Sequence, residues 1–258
     1  MSNESNIKKL RRRDVAESAY LGNKEIAIRA VSDLDPKVRA SGLSSLFKQG
    51  AIDIETLIKS ANDQDALVQV RALDLIGDLF LNGSDGPEAL LSKSKTGANC
   101  LNSSPKDVFN SLLIAFLKVA FASDPLVVVA AFSAIGEIFS YEVNGQKEGL
   151  TRDLIEFLLA DNSLVEAAIE ICNTHKDPRC IEAAVASLGV FGSKGVSVGL
   201  DTVILVAQDG VPATRRRAIL ALSGFDDPKI EPVLEKALLD KDWQVRQCAE
   251  DILGAFNP

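Results

Sequence analysis

The chain has 258 residues, 47% of them hydrophobic and 25% charged, the balance of a soluble folded protein long enough to bury a sizeable core. A formal net charge of −8 repels bulk polyanions, and aromatic residues, at 5%, are too few for a base-stacking surface, so general nucleic-acid affinity would need a local basic patch. Four cysteines (Cys100, Cys172, Cys180 and Cys248) make no dense disulfide framework, and the opening MSNESNIKKLRRRDVAES has no apolar run of signal-peptide length, which together point to a reducing, cytoplasmic setting.

From the amino terminus, residues 1–22 read as a basic helix or cap carrying the cluster KKLRRR. One motif then recurs six times, anchored at Asp35, Asp65, Asp124, Asp177, Val211 and Asp242. Three residues on stand Val38, Val68, Val127, Cys180, Thr214 and Val245. Seven on, all are small: Gly42, Ala72, Ala131, Ala184, Ala218 and Ala249. Eleven on, all are large and aliphatic: Leu46, Ile76, Ile135, Leu188, Leu222 and Leu253. Twelve on, four of six are glycine: Gly77, Gly136, Gly189 and Gly254. Offsets of three, seven and eleven fall on one helical face. The anchor aspartate suits an N-cap, and Pro36, Pro125, Pro178 and Pro212 follow at the first helical position, where a missing N–H costs nothing.

An amphipathic segment precedes each such helix, for example DIETLIKSAND and PKIEPVLEKALLD, so the unit is a helical hairpin. Anchor spacings of 30, 59, 53, 34 and 31 residues locate two insertions. Residues 82–105 are polar and turn-rich, the composition of a mobile loop, and residues 142–160 contain EGLTRDLIEFLLA, which reads as an extra helix. The apolar stretch 108–139 is broken by Lys118 and Asp124-Pro125, and neither half reaches the roughly 20 residues of a membrane span. Residues 242–258 read as a carboxyl-terminal capping helix. Eight residues past the anchor, the first five copies carry Leu43, Leu73, Phe132, Val185 and Ile219, whereas the last carries Glu250.

Catalytic signatures are absent: no zinc-protease helix, nucleophile elbow or phosphate-binding Gly-Lys-Ser/Thr loop. The glycine-rich GVFGSKGVSVG reads as a turn between hairpins. Cys172, the only histidine His175, and Cys180 could converge, but three ligands fall short of a structural zinc site, and the cysteines stand where core aliphatics belong. No catalytic, cofactor or metal residue is therefore assigned. Besides KKLRRR, the basic cluster TRRRA places Arg216 and Arg217 outward and Arg215 toward the packed seam.

Offsets two, five, nine and thirteen face away from the buried stripe. In the second copy these are Leu67, Val70, Asp74 and Asp78; in the third, Leu126, Val129, Ser133 and Glu137; in the fourth, Arg179, Glu182, Ala186 and Val190. They describe a shallow groove with an apolar floor and an acidic lip, flanked by Arg179, Arg216 and Arg217, unless insertion segments cover it. Acids toward the carboxyl ends of helices oppose the helix dipole, so stability alone does not place them there.

The segments DPKVRASGLSSL, DPLVVVAAFSAIG, DPRCIEAAVASLG and DWQVRQCAEDILG resemble the HEAT-repeat family, in particular its short bacterial units of the phycobilin-lyase type. The resemblance covers most of the chain outside the insertions. It implies an all-α fold, a right-handed α-solenoid of about six HEAT-like hairpins with two insertions, in one domain over 1–258. The family's arginine stands at Arg39, Arg215 and Arg246 but is replaced by Gln69, Val128 and Ile181. Such solenoids are mostly binding scaffolds, so the resemblance implies a non-enzymatic, monomeric cytoplasmic protein without cofactor that takes a protein or peptide partner on its concave face. A chromophore-handling subunit like the phycobilin lyases is the alternative, and a nucleic-acid-binding protein of the alkyl-DNA glycosylase type a further one. The latter is disfavoured by the net charge and by Trp243 lying at an inter-helix turn. A single histidine also rules out the paired His-Glu ligands of a di-iron repeat enzyme such as deoxyhypusine hydroxylase.

Overall fold

The computed structural model describes residues 10–82, 104–140 and 149–256, and every regular element among them is a helix. In chain order these are α1 (Arg12–Leu21), α2 (Lys24–Ala30), α3 (Pro36–Lys48), α4 (Ile54–Ala61), α5 (Ala66–Asn82), α6 (Pro105–Ala120) and α7 (Pro125–Ser140). There follow α8 (Leu150–Ala160), α9 (Ser163–Thr174), α10 (Pro178–Ser193), α11 (Leu200–Asp209), α12 (Pro212–Leu222), α13 (Ile230–Ala237) and α14 (Trp243–Phe256).

They stack in two rows. In the first, α1, α3, α5, α7, α10, α12 and α14 each pack on the next; in the second, α4, α6, α9, α11 and α13 do the same, with α2 closing a hairpin onto α3. The first row is the more closely packed of the two and is called the inner row. The extra helix expected in 142–160 is α8, which packs on α6 through Phe157 and Phe109, their ring centroids 5.8 Å apart. The loop expected over 82–105 lies almost wholly outside the described residues.

The repeated motif explains why the inner helices start and face as they do. Asp35, Asp65, Asp124, Asp177 and Asp242 each cap a helix by accepting, at 2.9 Å, the amide two residues on. Val211 supplies no side-chain cap, and Pro212 alone marks that start. All six residues at offset three and all six at offset seven are buried. At offset eleven five are buried, while Leu253, in the last described helix, is half-buried. At offset eight, Leu43, Leu73, Phe132, Val185 and Ile219 are sealed and Glu250 is exposed. The apolar stretch 108–139 becomes α6 and α7 in the middle of the stack, and among the described residues no helix is long and apolar enough to cross a membrane.

The arginine four residues past the anchor acts, at Arg39 and Arg215, as a clamp between repeats. Arg39 donates to both Asp63 oxygens (2.9 and 2.7 Å) and to the carbonyls of Asp33 and Leu34. Arg215 does the same with Asp240 (2.8 and 2.6 Å) and the Gly210 carbonyl. Each thus ties its own inter-helix turn to the next.

Close approach is built into offset twelve. A Cβ on Gly189 would lie 2.8 Å from the Ala221 Cα and 2.9 Å from its carbonyl oxygen on α12, whereas one on Gly254 would meet nothing within 4 Å. Gly189→Ala is therefore expected to cost roughly 1–3 kcal/mol, because backbone must move to admit the methyl group. Gly254→Ala should be neutral or add up to about 1 kcal/mol through helix propensity. Urea unfolding of the two variants measures the contrast.

Candidate binding surface on the inner helical row

The groove-lining offsets do reach the inner surface, although not as one uniform floor. Leu67, Asp74, Leu126, Ser133 and Arg179 are exposed, and Val70, Asp78, Val129, Glu137 and Glu182 are half-buried. Val129, Ser133 and Glu137 of α7, Arg179 and Glu182 of α10, and Arg217 of α12 line one open cleft of about 520 Å³. Ala186 and Val190 complete its apolar side. Leu67 faces a different cleft, between α1, α3 and α5. Arg216 does not line this cleft: it donates to Gln244 Oε1 at 3.1 Å, across the α12–α14 seam. One helical step of about 100° separates it from Arg217, enough to send the two into different seams. Arg215 is turned into the packed seam, as its spacing predicts.

Charge is unevenly compensated here. Asp74 and Asp78 of α5 and Glu137 of α7 make no hydrogen bond or ion pair with a described residue. Burial pushes the Glu137 carboxyl up from its ordinary value, and Asp78 and Asp74 add to that. Burial also raises Asp74, with Arg71 opposing and Asp78 reinforcing. Gly77 makes the room, since a Cβ there would collide with the Glu137 carboxylate. The cationic flank, by contrast, is partly spent. Arg179 pairs with its own helix cap, Asp177, at 2.7 Å. The side-chain and backbone bonds from Arg179 hold the Asp177 carboxyl down at about 2.

The Cys172–His175–Cys180 stretch has a structural account. His175 Nδ1 accepts the Asp177 N–H at 3.0 Å, the position where Asp33, Asp63 and Asp240 use a carboxylate in other repeats. Cys180 is fully buried, its Sγ 3.5 Å from the Pro125 carbonyl, and burial pushes the Cys172 thiol up to about 12. Among the described residues no three His, Cys, Asp or Glu side chains converge as metal ligands would.

Two features went unread in the sequence. Helix α1 joins the inner row itself, its Ser18 hydroxyl 2.9 Å from that of Ser45 on α3. Beside it, Arg12, Lys37, Lys48 and Arg71 line a common cleft. Lys37 and Lys48 occupy offsets two and thirteen of the first copy, so extending the groove register back one repeat would have found them.

Helices stacked copy on copy in two rows, with a shared capping and packing rule, define an α-solenoid of the HEAT and armadillo type. Residues 200–258 match the family model described as HEAT repeats. The comparison with curated proteins finds none that matches. Among solved structures, a designed armadillo repeat protein in complex with the peptide (KR)4 aligns with a TM-score of 0.61 at 15% identity, covering 91% of this chain and 99% of that one. An engineered protein gives 0.62 at 16% identity, over 91% and 98% of the two chains. Computationally designed armadillo repeat proteins for modular peptide recognition give 0.55 at 15% identity, over 96% and 100%. At such identities the likeness is one of fold.

The raised carboxyls carry a pH signature. A carboxyl whose folded pKa exceeds its unfolded one binds more protons in the native state, so it opposes folding at neutral pH and ceases to as pH falls through the folded value. Glu137→Gln should therefore stabilise the protein at pH 7 by roughly a few tenths of a kcal/mol. That gain should vanish once the pH is low enough to protonate Glu137 itself. Urea midpoints across a pH series measure this.

Proposed function

We propose that this protein is a non-enzymatic scaffold that holds an extended protein or peptide segment along its inner helical row. On this reading it is a monomeric, cytoplasmic relative of the short phycobilin-lyase-type HEAT-like proteins. The observation that carries the reading is the continuity of the inner surface. The cleft between α7, α10 and α12, with apolar Val129, Ala186 and Val190 on its walls, includes Glu137, which is electrostatically coupled to Asp74 and Asp78 across the α5–α7 crossing. Carboxylates set this close repel one another, and a cationic side chain of a ligand would relieve that repulsion. Apolar walls beside them give such a ligand area to bury. The peptide held by the similarly folded designed armadillo protein, (KR)4, supports a cationic, extended ligand.

Fluorescence anisotropy with labelled (KR)4 tests this. The unmodified protein should bind it, and Asp74→Lys/Asp78→Lys should weaken binding by about tenfold or more, a like-charge penalty of at least 1.4 kcal/mol. Glu231→Lys, on the outer-row helix α13, should leave affinity unchanged. Equal losses at the two places, or none at either, would overturn the site.

A further inference from the structure

Toward the amino-terminal end of the inner row, α1, α3 and α5 enclose a second open cleft, of about 400 Å³. Arg12 of α1, Lys37 and Lys48 of α3, and Arg71 of α5 line it, all four exposed, and among the described residues no carboxylate does. None of the four forms an ion pair with a described residue, although their neighbours Arg11, Arg13 and Arg39 pair with Asp14, Glu17 and Asp63. Lys48 Nζ is held 5.1 Å from the Tyr20 ring centroid and 3.4 Å from its hydroxyl, which fixes one charge at the mouth of the cleft.

Like charges gathered in one cleft repel one another, and Asp74, one turn on from Arg71, offsets only part of that charge, so folding alone does not account for the set. Ser41 and Ser44 stand between Lys37 and Lys48 on one face of α3 and add hydroxyls to the same wall. The chemistry is that of an anion site built for several charges along a line. A nucleic-acid backbone would satisfy it locally but not further on. One turn beyond Arg71 on the same helix stands Asp74, followed by Asp78 and then Glu137 across the seam, and a continuous polyanion would be repelled there. A polypeptide changes sign along its length, and a polynucleotide does not.

We propose that the α1–α3–α5 cleft binds an acidic stretch of a protein partner, its carboxylates taken by Arg12, Lys37, Lys48 and Arg71. The inner row then reads a segment in which acidic residues adjoin basic ones. This rests on the inner row being a peptide-binding surface, but it stands or falls on its own residues.

The test uses the full chain and three labelled probes: octaglutamate, (KR)4 and an eight-nucleotide oligothymidine. Octaglutamate should bind, and Lys37→Glu/Arg71→Glu should weaken it by about tenfold or more, while Asp74→Lys/Asp78→Lys should not weaken it. The same Lys37/Arg71 variant should leave (KR)4 binding intact or tighter. All four positions are exposed on helices and Glu matches Lys and Arg in helix propensity, so the variants should fold, as circular dichroism would verify. Octaglutamate that fails to bind, or binds equally to the Lys37/Arg71 variant, overturns the proposal even if (KR)4 binds as expected. Octaglutamate binding with the expected sensitivity upholds it even if (KR)4 does not bind. Oligothymidine binding more tightly than octaglutamate through Lys37 and Arg71 overturns the choice of a peptide as occupant.

Discussion

How closely successive inner helices can approach governs nearly everything else in this molecule. At offset seven every copy carries a buried glycine or alanine, and a Cβ on Gly42 would press within 2.9 Å of the Ala30 side chain on α2, the hairpin partner of α3. At offset twelve, Gly77 and Gly189 let the next inner helix come within backbone contact distance. The clefts between adjacent copies thus follow from the same packing of inner helix on inner helix that builds the stack.

Repeats are held in register by two different means along the stack. Near both ends the Arg39–Asp63 and Arg215–Asp240 forks lock one turn to the next, their side chains only 14–17% exposed. Planar, bidentate pairs of this kind fix orientation as well as distance. In the middle copies Gln69, Val128 and Ile181 stand where the arginine would be, and the large fully buried rings Phe116, Phe132, Phe139 and Phe191 take over. Phe139 and Phe191 lie with centroids 4.7 Å apart, joining α7 to α10. A desolvated ion pair gains little over apolar packing where the core is thick, but near the ends, with less apolar area to share, directional bonds are worth more.

This division also explains what could be read from the sequence. The offsets three, seven and eleven repeat because each copy solves the same burial problem, so the fold was legible from columns of residue type alone. The capping aspartates were legible for the same reason. The bond of Arg216 to Gln244 in the next repeat was not legible, since nothing within its own helix encodes that contact. His175 looked like a ligand candidate until the Asp177 amide was seen to occupy its Nδ1, a role that other repeats give to aspartate. Half of the basic cleft, Lys37 and Lys48, stands in the outward register of the first copy, whereas Arg12 and Arg71 lie outside that register and only packing brings them to it.

A net charge of −8 and a cleft lined by four cations conflict only if charge is averaged over the whole surface. At physiological salt the screening length is about 8 Å, close to the roughly 8–10 Å between packed helices. Each seam between inner helices is therefore felt mainly by the ligand group lying over it, and only weakly by charges two helices away. Small residues set the helices at that spacing, and the outward offsets then set the sign of each seam one copy at a time. A solenoid built this way can present basic, acidic and mixed stations in order along one surface. The order of those stations, rather than the total charge, is what an extended partner would have to match.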